Sequence, residues 1–117
     1  MNTLTRFTGV RRITLAGLLA ALPATSFGTA TWTPTSGMVT AVYSHDGTHV
    51  IQTTIVDAAC GAAGRFWWPA SDSDAKDMFA LALSAFVAGK QVRVVQDAAT
   101  PSCSNGGNLA THLVISD

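Results

Sequence analysis

The alternation of apolar and polar residues over positions 38–57 predicts a β-hairpin. Two strand-like runs flank Asp46-Gly47, a dipeptide favoured in two-residue turns because both central positions take positive φ. Such a turn fixes one register, in which four cross-strand pairs share a face: Ser44 with His49, Val42 with Ile51, Thr40 with Thr53, and Met38 with Ile55. We expect this more apolar face to be the core, and the opposite face, with Tyr43 and Gln52, to be only partly covered.

Apolar residues at helical spacing predict one helix over about residues 73–88. Ser71 and Asp74 fit a capping box at its start, and Gly89 is a typical stop signal. Five residues form the expected core stripe of this helix: Ala75, Met78, Phe79, Ala82 and Phe86.

Three further strands are expected at residues 65–68, 91–96 and 109–115, after an extended lead-in at 31–36 and with a long polar loop at 97–108. The protein is then mostly β with one α-helix, in the order β-β-β-α-β-β. In a single small domain this order matches a five-stranded OB-type barrel. A ferredoxin-like layout is disfavoured because it needs a helix between its first two strands.

Residues 1–30 have the features of a signal peptide. Three arginines precede an apolar run at 13–22, which Pro23 ends, and small residues follow at 28–30. The run is too short for a membrane span, which takes about 20 residues. We expect cleavage before Thr31, or after Gly28 as second choice, by general secretion rather than a twin-arginine route; a buried N-terminal helix is the alternative. Residues 31–117 then form one exported domain, secreted or periplasmic, that does not insert into a membrane.

The signal segment also changes the charge balance. The whole chain is 48% hydrophobic and 12% charged, with seven cations against seven anions, but residues 31–117 keep only four of the cations and carry a net charge of −3. No Lys or Arg occurs between Thr31 and Arg65, so a basic stripe that could follow phosphates is absent. Nucleic acids and anionic lipid surfaces are therefore not expected as partners.

Two cysteines, Cys60 and Cys103, lie in the expected mature chain. An even pair in an exported protein usually forms a disulfide. Closing a loop of this length contributes about 3.5–4 kcal/mol in the chain-entropy model. A redox or nucleophilic role is disfavoured because the chain has no C-x-x-C motif.

The outer face of the predicted helix is unusually apolar, since no charge occurs between Met78 and Gly89. The side that water would normally cover carries Ala80, Leu81, Ser84, Val87 and Ala88. Either an Ala-rich helix simply tolerates this face, or the face packs against a second subunit and the protein is a homo-oligomer.

The segment KDMFALALSAFVAGKQVRV at 76–94, with one cysteine before the third strand and one after the fourth, resembles a group of small exported proteobacterial proteins. It is similar, more distantly, to the B subunit of subtilase cytotoxin, in which an aliphatic and aromatic helix leads into an alternating V-R-x-V strand. Members of that family are OB-fold subunits that form pentameric rings and bind cell-surface glycans. The resemblance implies a binding subunit rather than a catalyst.

The residues that could carry catalysis are not arranged for it. Ser44, His45 and Asp46 are the residue types of a hydrolase triad, but neighbours in a strand and its turn point in different directions. His45 and His49 fall on opposite faces in the predicted register and lack a third ligand, and His112 suits a surface or interface position. No glycine pattern for binding phosphates occurs. We therefore predict no enzyme activity, no metal and no cofactor.

The strongest functional candidates are aromatic. Alternation places Phe66 and Trp68 on one face of the third strand and Trp67 on the other, where it either fills the core or forms a flat platform. Together with Tyr43, Gln52 and Arg65, Trp67 would suit a sugar or a protein partner. Two hypotheses follow: a secreted, ring-forming subunit that recognises glycans, or a small exported structural or protein-interaction module without a sugar site.

Overall fold

The computed structural model describes residues 30–56, 59–60, 64–97, 99 and 101–117. In these ranges the protein is mostly β, with one helix and one disulfide. Its elements, in chain order, are β1 (Ala30–Trp32), β2 (Gly37–His45), β3 (Thr48–Thr53), β4 (Arg65–Pro69), α1 (Ala75–Ala88), β5 (Gln91–Asp97), β6 (Cys103–Ser104) and β7 (Gly107–Ser116).

The seven strands form one sheet in the order β1-β5-β2-β3-β4-β7-β6, in which β5 also pairs with β7. The β4–β7 pairing is parallel, whereas the other pairings are antiparallel. The strand β5 therefore contacts β2 and β1 along one edge and β7 along the other. This arrangement curls the sheet around one core, which α1 covers.

The prediction of five strands is wrong, because the described residues contain two further short strands. The strand β1 lies in the expected lead-in, and β6 lies in the expected polar loop. Buried Thr33 ties the end of β1 to β5, since its N–H donates to the Val94 carbonyl at 2.8 Å and its hydroxyl accepts from the Val94 N–H at 3.3 Å. Strands of two or three residues are too short to produce an alternating pattern, so their pairing with β5 and with β7 defines them.

The hairpin turn is confirmed, but the predicted register holds only near it. Asp46 and Gly47 take φ of 45° and 71°, and Val42 opposes Ile51 as expected. A β-bulge then shifts the pairing, so that Val39 rather than Thr40 opposes Thr53. The extra residue moves Val39 to the buried side and leaves Thr40 exposed.

The same shift corrects the last predicted pair of the hairpin. Met38 bonds to Thr54 instead of Ile55, with the Thr54 N–H donating to the Met38 carbonyl at 2.9 Å. Gly37 can then pair with Val92 at the start of β5. The bulge therefore lets β2 leave β3 and reach β5.

The helix begins later than predicted and without the expected capping box. Asp74 is its N-cap residue but makes no side-chain capping bond. The predicted stop at Gly89 is confirmed, since this residue takes φ of 64° and its N–H, with that of Lys90, donates to the Ala85 carbonyl.

The core stripe of α1 is rotated relative to the prediction. Ala75, Met78 and Ala82 are buried as expected, and Phe79 packs against the core. Phe86 is 46% exposed, and Ala85 is fully buried in its place. Small side chains at the contact let the helix lie close to the sheet, and this close approach leaves no room for a phenyl ring.

The core is a single cluster of mostly aliphatic side chains between α1 and the inner face of the sheet. Ile51, Phe66 and Trp68 are its largest sheet members, and the Trp68 indole N–H donates to the Ala75 carbonyl at 3.1 Å. The predicted disulfide is confirmed, joining Cys60 to Cys103 across a sequence separation of 43. It fastens the segment before β4 to the short strand β6.

Most of the expected signal segment, residues 1–29, lies outside the described residues. Ala30 is the first residue of β1, so cleavage before Thr31 would shorten this strand by one residue, whereas cleavage after Gly28 would keep it whole. Within the described ranges, no helix has the length and apolar character needed to cross a membrane.

Candidate binding surface

The side chains of β4 alternate as the sequence predicts. Phe66 and Trp68 are each 1% exposed and belong to the core, whereas Trp67 lies on the opposite side of the strand and is half-buried. Trp67 therefore does not fill the core, because it is not part of the core cluster.

Trp67 lies on one rung of the sheet with Val50 and Tyr43. Val50 of β3 pairs with Tyr43 of β2 on one side and with Trp67 of β4 on the other. Val50 is 2% exposed although it lies outside the core cluster, whereas Tyr43 is 41% exposed. The rung thus presents one aromatic residue on each side of a buried valine. We call this surface the Tyr43–Trp67 face.

The next rung of the same face carries the two predicted polar residues. Gln52 pairs with Ala41 on β2 and with Arg65 on β4. The Arg65 Nε donates to the Gln52 Oε1 at 3.0 Å. This bond fixes the direction of the guanidinium, so that a cationic group with remaining N–H donors lies one rung away from the aromatic residues. The structure therefore brings all four predicted residues together.

The Trp67 indole N–H bonds to a segment that the sequence pattern does not assign to this surface. Its Nε1–H lies 3.2 Å from the carbonyl oxygens of both Ser102 and Gly107. Ser102 precedes β6, and Gly107 begins β7. The indole N–H is therefore satisfied internally, and the ring surface is what remains for a ligand.

A tight turn places this supporting segment. Asn105 and Gly106 connect β6 to β7 with φ of 53° and 72°, which suits an Asn-Gly hairpin turn. A side chain at Gly106 would contact the Arg65 Nη1 at 2.7 Å, so the turn passes directly beside the guanidinium. The Asn-Gly dipeptide was the sequence signal that could have revealed this hairpin.

The second predicted surface is the outer face of α1, which we call the helix outer face. All five residues assigned to it are exposed, namely Ala80, Leu81, Ser84, Val87 and Ala88. Leu83 and Phe86 add to it with exposures of 40% and 46%, and Val87 reaches 84%. An exposed apolar surface of this kind commonly marks a contact with another protein.

The histidines do not form a catalytic relay or a metal site. The His49 Nδ1 lies 2.7 Å from the Ser44 hydroxyl oxygen, and the His49 ring stacks on the Phe79 ring with their centroids 4.4 Å apart. On the exposed turn, the His45 Nε2 lies 3.1 Å from the Asp46 carboxylate. The predicted separation of His45 from His49 is consistent with this placement. Among the described residues no group of three metal-ligating side chains occurs, and these residues enclose no pocket.

The ion pair between Lys90 and Asp117 shifts the pKa of both groups. A hydrogen bond from Lys90 lowers the pKa of the Asp117 carboxyl, and the same bond raises the pKa of Lys90, with the charge attraction as the second cause. The pair is exposed, so solvent screens the attraction and it adds little to stability.

No protein-family model matches the chain, and neither a curated protein nor a solved structure matches it significantly. The resemblance to a family of glycan-binding subunits therefore stays a prediction. What the protein binds has to be argued from the geometry of its own surfaces.

Proposed function

We propose that this protein is an exported, non-enzymatic binding module whose Tyr43–Trp67 face recognises a sugar. The observation that carries the proposal is the rung formed by Tyr43, Val50 and Trp67, with Arg65 and Gln52 on the adjacent rung. The apolar C–H face of a pyranose packs on aromatic rings, and its hydroxyls need directed polar partners beside them. This surface offers both within two rungs of one sheet.

The fold proposal is a five-stranded OB-type barrel made of β2, β3, β4, β7 and β5. Support comes from the succession of pairings β2–β3, β3–β4, β4–β7, β7–β5 and β5–β2. The strands β1 and β6 extend this ring at its margins. In OB folds, the outer face that includes the second and third strands is the usual ligand surface, and here those strands are β3 and β4.

Export is part of the same proposal. A disulfide between Cys60 and Cys103 suits an oxidising compartment, such as the periplasm or the extracellular space. The arginine-rich and apolar N-terminal sequence supports the same destination.

We also propose that the protein assembles with copies of itself through the helix outer face. The support is the exposure of Leu81, Leu83, Phe86 and Val87 on a helix that carries no charge after Asp77. Because the Tyr43–Trp67 face lies on the sheet and not on α1, assembly through the helix would leave the sugar surface accessible. An assembled module would bind glycans with several copies of one weak site.

The test of the sugar proposal is a glycan array probed with the purified protein and with Tyr43→Ala. We expect the protein to be retained on a subset of glycans, and Tyr43→Ala to lower the affinity about five- to thirtyfold, since a stacked ring contributes on the order of 1–2 kcal/mol. Trp32→Ala is the matched control, because it removes an aromatic ring of similar exposure from β1, outside both the Tyr43–Trp67 face and the helix outer face. Thermal unfolding should be unchanged within a few degrees for Tyr43→Ala.

Two results would contradict the proposal. One is the absence of retention on any glycan when the disulfide is intact. The other is an equal loss with Tyr43→Ala and Trp32→Ala, which would favour a protein-interaction module without a sugar site.

A further inference from the structure

A second aromatic surface lies on a different part of the sheet, where the sequence predicted only an extended lead-in. Trp32 of β1 is 44% exposed and pairs with Val95 of β5, which in turn pairs with His112 of β7. The neighbouring rung pairs Arg93 with Val114, which is 41% exposed. None of these side chains belongs to the core cluster, and we call this surface the Trp32 face.

The Arg93 guanidinium is held in a fixed position on this face. Its Nε and Nη2 both donate to the Thr33 carbonyl, at 3.2 Å and 2.8 Å, and its central carbon lies 5.9 Å from the centroid of the Trp32 ring. Thr33 is itself fully buried and bonded to Val94. The cation is therefore fixed beside the indole before any ligand arrives, so a ligand would not have to order it.

No carboxylate neutralises Arg93 within the described part of the chain. The ion pairs found there join His45 to Asp46 and Lys90 to Asp117. Asp97, at the end of the same strand, uses its Oδ1 to accept the Ala99 N–H. Arg93 thus has a half-buried charge, without a counter-ion among those residues, and N–H donors beyond the two that bond Thr33.

The rest of the face indicates which anion would fit. Val95 is 7% exposed and forms a floor between Trp32 and His112, while Val114 lines the side next to Arg93. His112 is exposed, and its Nδ1 lies 3.0 Å from the Thr111 hydroxyl. Apart from the arginine and the histidine, the surface offers an indole and two valines and lacks the array of hydroxyl and amide groups that a saccharide needs.

We propose that the Trp32 face binds a small aromatic carboxylate. The carboxylate lies against the free N–H donors of Arg93, and the ring of the ligand packs on Trp32 and Val95. A guanidinium and a carboxylate form charge-assisted hydrogen bonds, and a preorganised arginine favours this geometry over the point charge of a lysine. This site is separate from the sugar surface and does not depend on it.

The test is a titration of the ¹⁵N-labelled protein, disulfide intact, with phenylacetate and with its neutral analogue phenylacetamide. We expect phenylacetate to shift the indole N–H resonance of Trp32 and the Nε–H resonance of Arg93, while the indoles of Trp67 and Trp68 stay in place. Phenylacetamide should bind at least about tenfold more weakly, because it loses the charge-assisted bonds.

Two variants separate binding from stability. Arg93→Gln should weaken phenylacetate at least about tenfold, and Arg93→Lys, which keeps the charge but loses the planar fork, should give an intermediate affinity. Tyr43→Ala should leave phenylacetate binding unchanged, so that this site and the sugar site can fail independently. If Arg93→Gln does not fold, the comparison of acid with amide on the unchanged protein still decides the question.

Three results would overturn the proposal: no Trp32 shift with phenylacetate, equal binding of acid and amide, or full affinity in a folded Arg93→Gln protein. Equal binding of glucuronate and phenylacetate would also overturn it, because the apolar floor would then have no role in selecting the ligand.

Discussion

Two glycines with positive φ constrain the backbone in different ways. Gly47, in the hairpin turn, takes φ of 71°, and a Cβ built there meets no atom within 4 Å. Gly64 takes φ of 78°, but a Cβ there would overlap the carbonyl oxygen of Thr53. Its own carbonyl accepts both the N–H and the hydroxyl of Thr53, at 2.7 Å and 2.8 Å. Gly64 therefore brings the start of β4 against the end of β3.

Comparing alanine at these two glycines tests this difference. Gly47→Ala should cost about 1–2 kcal/mol, the usual cost of a left-handed backbone for a residue with a Cβ. Gly64→Ala should cost at least about 2 kcal/mol more, because the backbone must also move away from Thr53. Urea unfolding of both variants measures the two free energies, and equal losses would show that the close contact at Gly64 has no energetic weight.

At the scale of the element, α1 shows how a predicted helix can be right in type and in where it ends and wrong in orientation. Spacing alone allows either Phe86 or Ala85 to continue the stripe that Met78 and Ala82 begin. The structure selects Ala85, and the aromatic contact with the hairpin is made by Phe79, which stacks on His49 at 4.4 Å. The close approach of helix and sheet favours the smaller side chain.

Substitutions at these two adjacent positions should therefore differ in how much they lower the free energy of unfolding. Ala85→Leu forces a larger side chain into a fully buried position and should cost about 1–3 kcal/mol. Phe86→Ala should change the free energy of unfolding by no more than about 1 kcal/mol, since the residue is nearly half exposed and lies outside the core cluster. Thermal unfolding at low protein concentration measures the stability of both variants. A larger loss of stability with Phe86→Ala than with Ala85→Leu would favour the core stripe that the sequence predicts.

At the scale of the whole molecule, the apolar helix and the two aromatic faces occupy different parts of the surface. The Tyr43–Trp67 face lies on β2, β3 and β4, and the Trp32 face lies on β1, β5 and β7. The disulfide ties β6, which directly follows the Trp67 partner Ser102, to the segment before β4. One small domain can therefore present two ligand surfaces while a third surface contacts another copy.

The assembly proposal predicts a change of mass with one substitution. Light scattering should find the protein as an oligomer at micromolar concentration, and Val87→Asp should shift it towards the monomer because a carboxylate would be buried in the contact. Asp77→Asn is the control, since it changes charge by one unit on the same helix outside the apolar segment. A monomer at all concentrations, or an equal effect of both substitutions, would remove the support for assembly.

The sequence by itself determined the features that depend on a few neighbouring residues. The Asp46-Gly47 turn, the helix stop at Gly89 and the separation of Trp67 from Phe66 and Trp68 follow from local φ preferences and from alternation. The disulfide followed from an even cysteine pair in an expected exported chain. Alternation also indicates the four residues of the Tyr43–Trp67 face, and the pairing of β2, β3 and β4 brings them together.

Only the tertiary structure decided the features that depend on partners distant in the chain. The bulge at Thr40 exists because β2 must leave β3 for β5, and β1 exists because β5 offers it a free hydrogen-bonding edge. The rotation of α1 depends on how closely the sheet can approach it. The Trp32 face depends on a distant partner in the same way. Pairing of β1 with β5 places the Trp32 ring beside Arg93, 61 positions further along the chain.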